Sequence, residues 1–229
     1  ASIFTPSQNK FVLPRDIIPA HMKERAESYD LDGVLIDRRP LLGQFGALRA
    51  FILHGSSIYE PPPNIPNVPR FIREEGISSP REAILLFFHS IRALKRGVRE
   101  FVESSDAYKF GNTGRSNKRP WVEMTKRTLS KGGILEQLED VFFKPKGFKT
   151  IESKGAAIAE LRERYERVIH YDDNPADVLG LAKVFPDVSF VIVQDLSTGL
   201  LLSRTGMIEY PNVQRVAVLS QTTSNTRLG

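Results

Sequence analysis

The chain has 229 residues, 41% of them hydrophobic and 26% charged, with no cysteine and a formal net charge of +5. Such a length and composition can bury a full core unaided, which excludes wholesale disorder, and the missing cysteine excludes a disulfide framework, a thiolate zinc site and a cysteine nucleophile. The longest apolar run, Ala83 to Phe88, is far short of the roughly 18–20 residues of a membrane span, and residues 1–14 lack a charged-then-apolar secretory pattern, so a cytoplasmic protein without membrane contact is expected.

Short β-prone runs alternate with segments of helical period along the chain. Val34-Leu35-Ile36 is the first run, after a polar lead-in. Residues 38–93 break the alternation: a helix is predicted over Leu41 to Leu53. Pro61-Pro62-Pro63, Pro66 and Pro69 then form a stiff loop that can be neither helix nor central strand. A second helix is predicted from Pro80 to about Arg96, its start marked by Ser79 before Pro80 and by Glu82.

Alternation then resumes with a strand at Ala107 to Phe110 and a helix whose stripe is Trp121, Met124, Thr125 and Leu129. Val141-Phe142-Phe143 is a strand, Ile158, Leu161 and Tyr165 mark a helix, and Val168 to Tyr171 is a strand. Leu179, Ala182 and Val184 mark the next helix, and Val188 to Val193 is a continuous apolar strand covered on both faces. Ser197-Thr198-Gly199 predicts a hairpin turn to an edge strand at Leu200 to Leu202, and 221–229 is a polar tail. The expectation is an α/β protein with a Rossmann-like, mainly parallel sheet. Its core comprises 1–37 and 94–229, and 38–93 is a small, partly helical cap insertion.

Charge is unevenly spread. Residues 109–154 carry eleven lysines and arginines against five acids, a net +6, so the remainder nets −1. Such a run is either a solvated face or a surface facing phosphate groups.

Four short segments carry chemistry. In Asp30-Leu31-Asp32-Gly33-Val34, two carboxylates at i and i+2 point to the same side at a strand end, and Gly33 lets the chain turn sharply away. One carboxylate can attack while the other moves a proton, provided a cation offsets their repulsion. A calcium loop is excluded, because Leu35 and Ile36 stand where further acidic ligands would be needed. Asn112-Thr113-Gly114-Arg115 offers a hydroxyl and backbone amides at a strand-to-helix turn, suited to phosphate oxygens. Lys149 and Lys154 precede the fourth strand, and either could screen carboxylates and a phosphoryl group. Asp172-Asp173-Asn174-Pro175-Ala176-Asp177 follows that strand, with oxygen ligands suited to Mg²⁺ and a good helix start. His21, His54, His89 and His170 show no metal-ligand spacing, and His170, inside an apolar strand, reads as a core histidine.

In this order the segments resemble the four motifs of the haloacid dehalogenase superfamily of phosphotransferases. Asp30 to Val34 resembles the first motif, Thr113-Gly114-Arg115 the second, Lys154 the third and Asp172 to Asp177 the fourth. The segment Arg96 to Val102 is similar to the lead-in of the second-motif strand, and the resemblance spans roughly residues 25–195.

The resemblance implies an Mg²⁺-dependent phosphatase. Asp30 would be the nucleophile that forms an aspartyl-phosphate, and Asp32 the general acid/base. Gly33, Thr113, Gly114 and Lys154 would bind the phosphoryl group. Asp30, the Asp32 carbonyl and Asp173 would hold the metal, with Asp172 as neighbour or alternate ligand, and Asp177 matches a second acid of some members. The sequence departs from the pattern in three places. The lead-in Lys23 to Tyr29 is polar, which predicts a short strand or one at an edge of burial; Asn112 replaces an apolar residue; and Lys154 lies only 19 residues before Asp173, which keeps Lys149 as a candidate.

A small cap leaves the site open to large substrates. Arg38, Arg39, His54, Tyr59 and Arg70 are candidate substrate readers, each with solvated surface as the alternative. The basic segment favours a phosphorylated partner such as a nucleotide or nucleic-acid end. The alternative function is a nucleic-acid-binding or end-processing protein with little or no general phosphatase activity, and a mutase would need only a different acceptor.

Overall fold

The computed structural model describes residues 23–37, 65–193 and 210–216. Six strands form one sheet: β1 (Lys23–Asp30), β2 (Tyr108–Ser116), β3 (Asp140–Lys144), β4 (Tyr165–Asp172), β5 (Ser189–Val193) and β6 (Val213–Val216). Their order is β3-β2-β1-β4-β5-β6, and every neighbouring pair is parallel. The helices are α1 (Pro80–Ser90), α2 (Val98–Ser104), α3 (Arg119–Lys131), α4 (Thr150–Arg164) and α5 (Pro175–Val184). The chain builds outward from β1 to β3, then returns to the other side of β1 and builds outward again. That reversal opens a crevice at the carboxyl ends of β1 and β4, where doubly wound sheets bind ligands.

Both faces of the sheet are covered, as parallel strands require. One layer packs Ala26, Phe110, Phe142, Val168 and Phe190 against Ile158 and Leu161 of α4 and Val178 and Leu181 of α5. The other packs Tyr29, Val141, Tyr171 and Val191 against Val98, Phe101 and Val102 of α2 and Leu129 of α3. Each such side chain contributes about 1.5–3 kcal/mol on burial.

The strands at Ala107–Phe110, Val141–Phe143, Val168–Tyr171 and Val188–Val193 are all present. So are the helical stripes, except that Tyr165 opens β4 instead of closing α4. The first strand differs. Val34-Leu35-Ile36 is a buried turn, and the strand is the polar lead-in itself, which occupies the centre of the sheet over eight residues. It is neither short nor at an edge of burial, because its polar groups are paired. Buried Glu27 accepts a hydrogen bond from Tyr29 Oη and lies 3.6 Å from Arg25, while Ser28 meets His170 on β4. Thr113 to Arg115, expected in a turn, lie within β2, whose register to β3 shifts between Asn112 and Ser116.

Asp37 and Ala93, which flank residues 38–92, meet on the core, and Arg73 within that stretch bonds Asn117 and Arg119 beside β2. Asp37 N donates to Ala93 O at 2.9 Å, and Ile36 bridges Leu94. Helix α1 starts as expected, with Ser79 Oγ accepting from Glu82 N at 3.1 Å, but ends at Ser90 rather than near Arg96. Glu82 ties α1 to the core by accepting from Lys118 Nζ at 2.9 Å and Trp121 Nε1 at 3.1 Å. The helix at 41–53, the prolines at 61–63, the hairpin at 197–199, its edge strand and the tail lie outside the described residues. The described edge strand is β6, parallel to β5. No helix among the described residues is long and apolar enough to cross a membrane.

Candidate active site

Register brings the acidic segments together. Asp30 ends β1 level with Asn112 of β2, and Tyr29 pairs with Tyr171, so Asp30 and Asp172 emerge side by side from adjacent central strands. Carboxylate oxygens of Asp30, Asp172 and Asp173 lie within 4.8 Å of one another, and all three residues are buried. Gly33 makes this approach possible. Its φ is +96°, a conformation that side chains rarely adopt, and a Cβ there would overlap the Asp173 carboxylate. Gly33 thus admits Asp173 to the site.

Lys154, one turn into α4, is the lysine that reaches these acids. Its Nζ lies 2.6 Å from Asp172 Oδ2, 3.3 Å from Asp177 Oδ2 and 3.4 Å from Asp30 Oδ1. Lys149 instead caps α4 and is exposed. Burial works against the Lys154 charge, but Asp172, Asp30 and Asp177 outweigh it and hold the ammonium well above its usual range.

One lysine does not balance the acids. Burial pushes the Asp30 carboxyl well up; Lys154 opposes this, while Asp172, Asp173 and Asp32 add to it. Asp177 is likewise raised by burial, against the pull of Lys154. Asp172 is instead held down: burial would raise it, but Lys154 and His170 prevail. Its Oδ1 also accepts from Asn174 N at 2.9 Å, and Asn174 Oδ1 caps α5 at Ala176 N, so the helix start and the acidic site are one structure. This set of oxygen donors, with a surplus of negative charge in a buried place, fits a hard divalent cation.

Asp32 has a different setting. Arg115 grips it with two bonds, Nε to Oδ2 at 2.8 Å and Nη2 to Oδ1 at 2.7 Å. Arg92 Nη1 donates to the same Oδ1 at 2.9 Å, and His89 Nδ1 lies 3.8 Å away. Burial would raise the Asp32 carboxyl, but Arg115 first, then His89 and Arg92, hold it well below the usual carboxylate range. Arg115 is fixed in turn by Thr125 Oγ1 at 2.9 Å.

Thr113 is fully buried and its Oγ1 accepts from Arg115 N at 3.2 Å. A Cβ on neighbouring Gly114 would crowd Thr150 at the start of α4, so that glycine lets α4 seat against β2. Asn112, in place of an apolar residue, donates to Lys154 O at 3.4 Å and so fixes the turn of α4 that carries the lysine.

The sequence missed three site residues. Arg115 stood in the second motif without a role, whereas Arg92 and His89 carried no signal, since Arg92 is 60 residues from Asp32. His170 is fully buried as expected, yet it bridges the site to β1, with Nε2 3.2 Å from Asp172 Oδ2 and Nδ1 3.1 Å from Ser28 Oγ. A histidine two residues before an acid on one strand face was the available signal. Of the proposed substrate readers, Arg38, Arg39, His54 and Tyr59 lie outside the described residues. Arg70 does not reach the site. It bonds Asp140 and Glu160 and stacks 3.7 Å over Phe142, beside the opposite end of β3. Within the basic segment, Arg115, Lys118, Arg119 and Lys154 are all engaged with acids of the chain itself.

No family model matches the sequence, and no curated protein matches it closely enough to be a relative. Solved structures do match in shape. A haloacid dehalogenase-like hydrolase family protein from Streptococcus pneumoniae superposes with a TM-score of 0.50 at 14% identity, over 87% of this chain and 97% of its own. A proposed phosphoglycolate phosphatase from Lactobacillus plantarum gives 0.51 at 13%, over 88% and 99%. An L-2-haloacid dehalogenase gives 0.50 at 11%, over 86% and 96%. The fold is therefore that of the haloacid dehalogenase superfamily.

Proposed function

We propose that this chain, on its haloacid dehalogenase-type fold, is an Mg²⁺-dependent phosphatase that hydrolyses a phosphomonoester through an aspartyl-phosphate on Asp30. One observation carries the reading. Asp30, Asp172 and Asp173 converge in a buried site whose surplus negative charge Lys154 does not balance. Displacement of a halide by a carboxylate needs no cation, so this surplus favours phosphoryl transfer.

Asp30 and Asp173 would hold the ion, with the Asp32 carbonyl and Asp172 beside it; bound there, Mg²⁺ would draw charge from phosphoryl oxygens and offset repulsion among the acids. An Asp30 oxygen attacks phosphorus, and the bond from phosphorus to the leaving oxygen breaks. Lys154 neutralises charge on the phosphoryl group, while Thr113 and the backbone beside it position the group. Asp32 gives a proton to the leaving oxygen, then takes one from the water that attacks phosphorus, which releases inorganic phosphate and restores the Asp30 carboxylate. As a base Asp32 is ready as it stands; as an acid it must first leave the Arg115 and Arg92 guanidiniums.

The test is phosphate release from a panel of monophosphates, with and without Mg²⁺. Asp30→Asn is expected to lower turnover by about 10³-fold or more and to abolish an acid-quenched phosphoenzyme that hydroxylamine cleaves. Mg²⁺-dependent turnover that survives Asp30→Asn rules out the nucleophile assignment.

A further inference from the structure

One face of the three central strands changes character step by step toward the site. Read toward the carboxyl ends, β1 presents Ala26, Ser28 and Asp30, β2 presents Phe110 and Asn112, and β4 presents Val168, His170 and Asp172. Ala26, Phe110 and Val168 belong to the apolar layer under α4 and α5. Ser28, Asn112 and His170 are each 0% exposed and form a neutral polar band between that layer and the acids. Polar groups so placed are costly unless they are bonded. Here they are bonded into one chain that holds Lys154 at both ends. Asn112 Nδ2 donates to Lys154 O at 3.4 Å and to Ser28 Oγ at 3.5 Å. Ser28 Oγ meets His170 Nδ1 at 3.1 Å, and His170 Nε2 meets Asp172 Oδ2 at 3.2 Å. That same Oδ2 accepts from Lys154 Nζ at 2.6 Å. The partners assign the hydrogens. An ionised Asp172 only accepts, so Nε2 carries a hydrogen; Ser28 Oγ accepts from Asn112, so its own hydrogen goes to Nδ1. The Phe190 ring, 6.0 Å away and nearly perpendicular, packs against the imidazole.

Resting on the phosphatase reading, we infer that His170 is a positioning residue: with Ser28 and Asn112 it fixes Asp172, and through Asp172 the Lys154 ammonium that neutralises charge on the phosphoryl group. Lys154 needs such a device, because its Nζ also lies 3.3 Å from Asp177 and 3.4 Å from Asp30, so three carboxylates compete for it. His170 supplies a second donor to Asp172 Oδ2, while Asn174 N holds Oδ1 at 2.9 Å. With both oxygens held, the carboxylate does not rotate to follow the ammonium, and the ammonium settles on it. Asn112 acts at the other end of the lysine, on the carbonyl of the helical turn from which the side chain extends. An asparagine where an apolar residue is usual and a histidine inside an apolar strand thus have one cause.

Two readouts need no turnover, so failure of the phosphatase reading in the Asp30→Asn test is separable from failure here. A long-range proton–nitrogen NMR spectrum of the wild type should show a hydrogen on His170 Nε2 and none on Nδ1. The Lys154 ammonium, buried and ion-paired, should give a slowly exchanging nitrogen resonance, assigned by its loss in Lys154→Met. Glutamine places an amide where Nε2 stands, and asparagine places one where Nδ1 stands. His170→Asn should therefore broaden the Lys154 resonance and lower kcat about 10–100-fold, with KM little changed, because charge neutralised chiefly in the transition state shows in kcat. His170→Gln should keep the resonance and stay within about threefold of the wild-type kcat. Ser28→Ala, which opens the chain but leaves Nε2 facing Asp172, should fall between the two. If a His170 variant fails to fold, the wild-type spectrum and Ser28→Ala decide. A hydrogen on Nδ1 instead of Nε2, a Lys154 resonance indifferent to His170→Asn, or a His170→Gln variant no better than His170→Asn overturns the proposal.

Discussion

Asp30 and Asp32 stand two residues apart and share one strand end, yet they sit in opposite fields. Around Asp30 the neighbours are Asp172, Asp173 and a single lysine, and burial with like charge pushes its carboxyl up. Around Asp32 the neighbours are two arginines and a histidine, and its carboxyl is held down. Paired carboxylates whose surroundings separate their proton affinities are how one site divides two tasks. Here one carboxylate shares a single lysine with Asp172 and Asp177, whereas the other is held by two guanidiniums. The first setting calls for a cation, and the second already holds its carboxylate in a fixed place.

Removing the cation on the Asp30 side should have the larger effect on folding. Lys154→Met leaves Asp30, Asp172 and Asp177 without their shared partner. A stability loss of about 3–5 kcal/mol is expected, measured by urea denaturation, and millimolar Mg²⁺ should restore part of it. Arg115→Met attacks the Asp32 side. Asp32 keeps Arg92, and its side chain is 19% exposed, so water can help and the expected loss is smaller, about 1–3 kcal/mol. Mg²⁺ should restore none of it, because the Asp32 carboxylate is not among the three acids that converge. Equal rescue of the two variants by Mg²⁺ means that the fields are not separate.

How much of this contrast could be read in advance differs between its halves. The acids, the lysine and their order along the chain were legible, because each sits at a strand or helix boundary that short apolar runs betray. Lys154 could not be told from Lys149 until helix phase was known, since only Lys154 lies on the buried face of α4. The central strand escapes a reading by apolar runs, since it is the polar stretch Lys23–Asp30. Glu27, Ser28 and Arg25 are polar; Glu27 meets Tyr29 on its own strand, but His170 and Asp106, which meet Ser28 and Arg25, come together with them only once the sheet is assembled. Arg92 and His89 were illegible for a related reason: nothing local in their segment shows that α1 returns the chain to the first motif. The charge of the basic stretch is partly internal. Its +6 counts Arg115 and Lys154, whose charge is spent inside the protein.

The smallest expected effect concerns the seat of α1, which carries His89 and leads directly into Arg92 on the Asp32 side. Glu82 fastens that helix through Lys118 and Trp121. Hydrogen bonds from Ser78, then Lys118, lower its carboxyl from an ordinary 4.5 to about 2. A carboxyl depressed in the folded state contributes stability above its unfolded value and loses it as pH falls, here between about 4.5 and 2. The pair lies near the surface, so the loss should be about 1 kcal/mol or less. Trp121 fluorescence should therefore report a loosening of α1 across that window. In Glu82→Gln, the component of the transition due to this residue should be absent and the loosened signal already present at neutral pH. If acid shifts the two proteins identically, Glu82 does not hold the helix. The arginine and histidine that α1 brings to Asp32 must then be placed by contacts nearer to them.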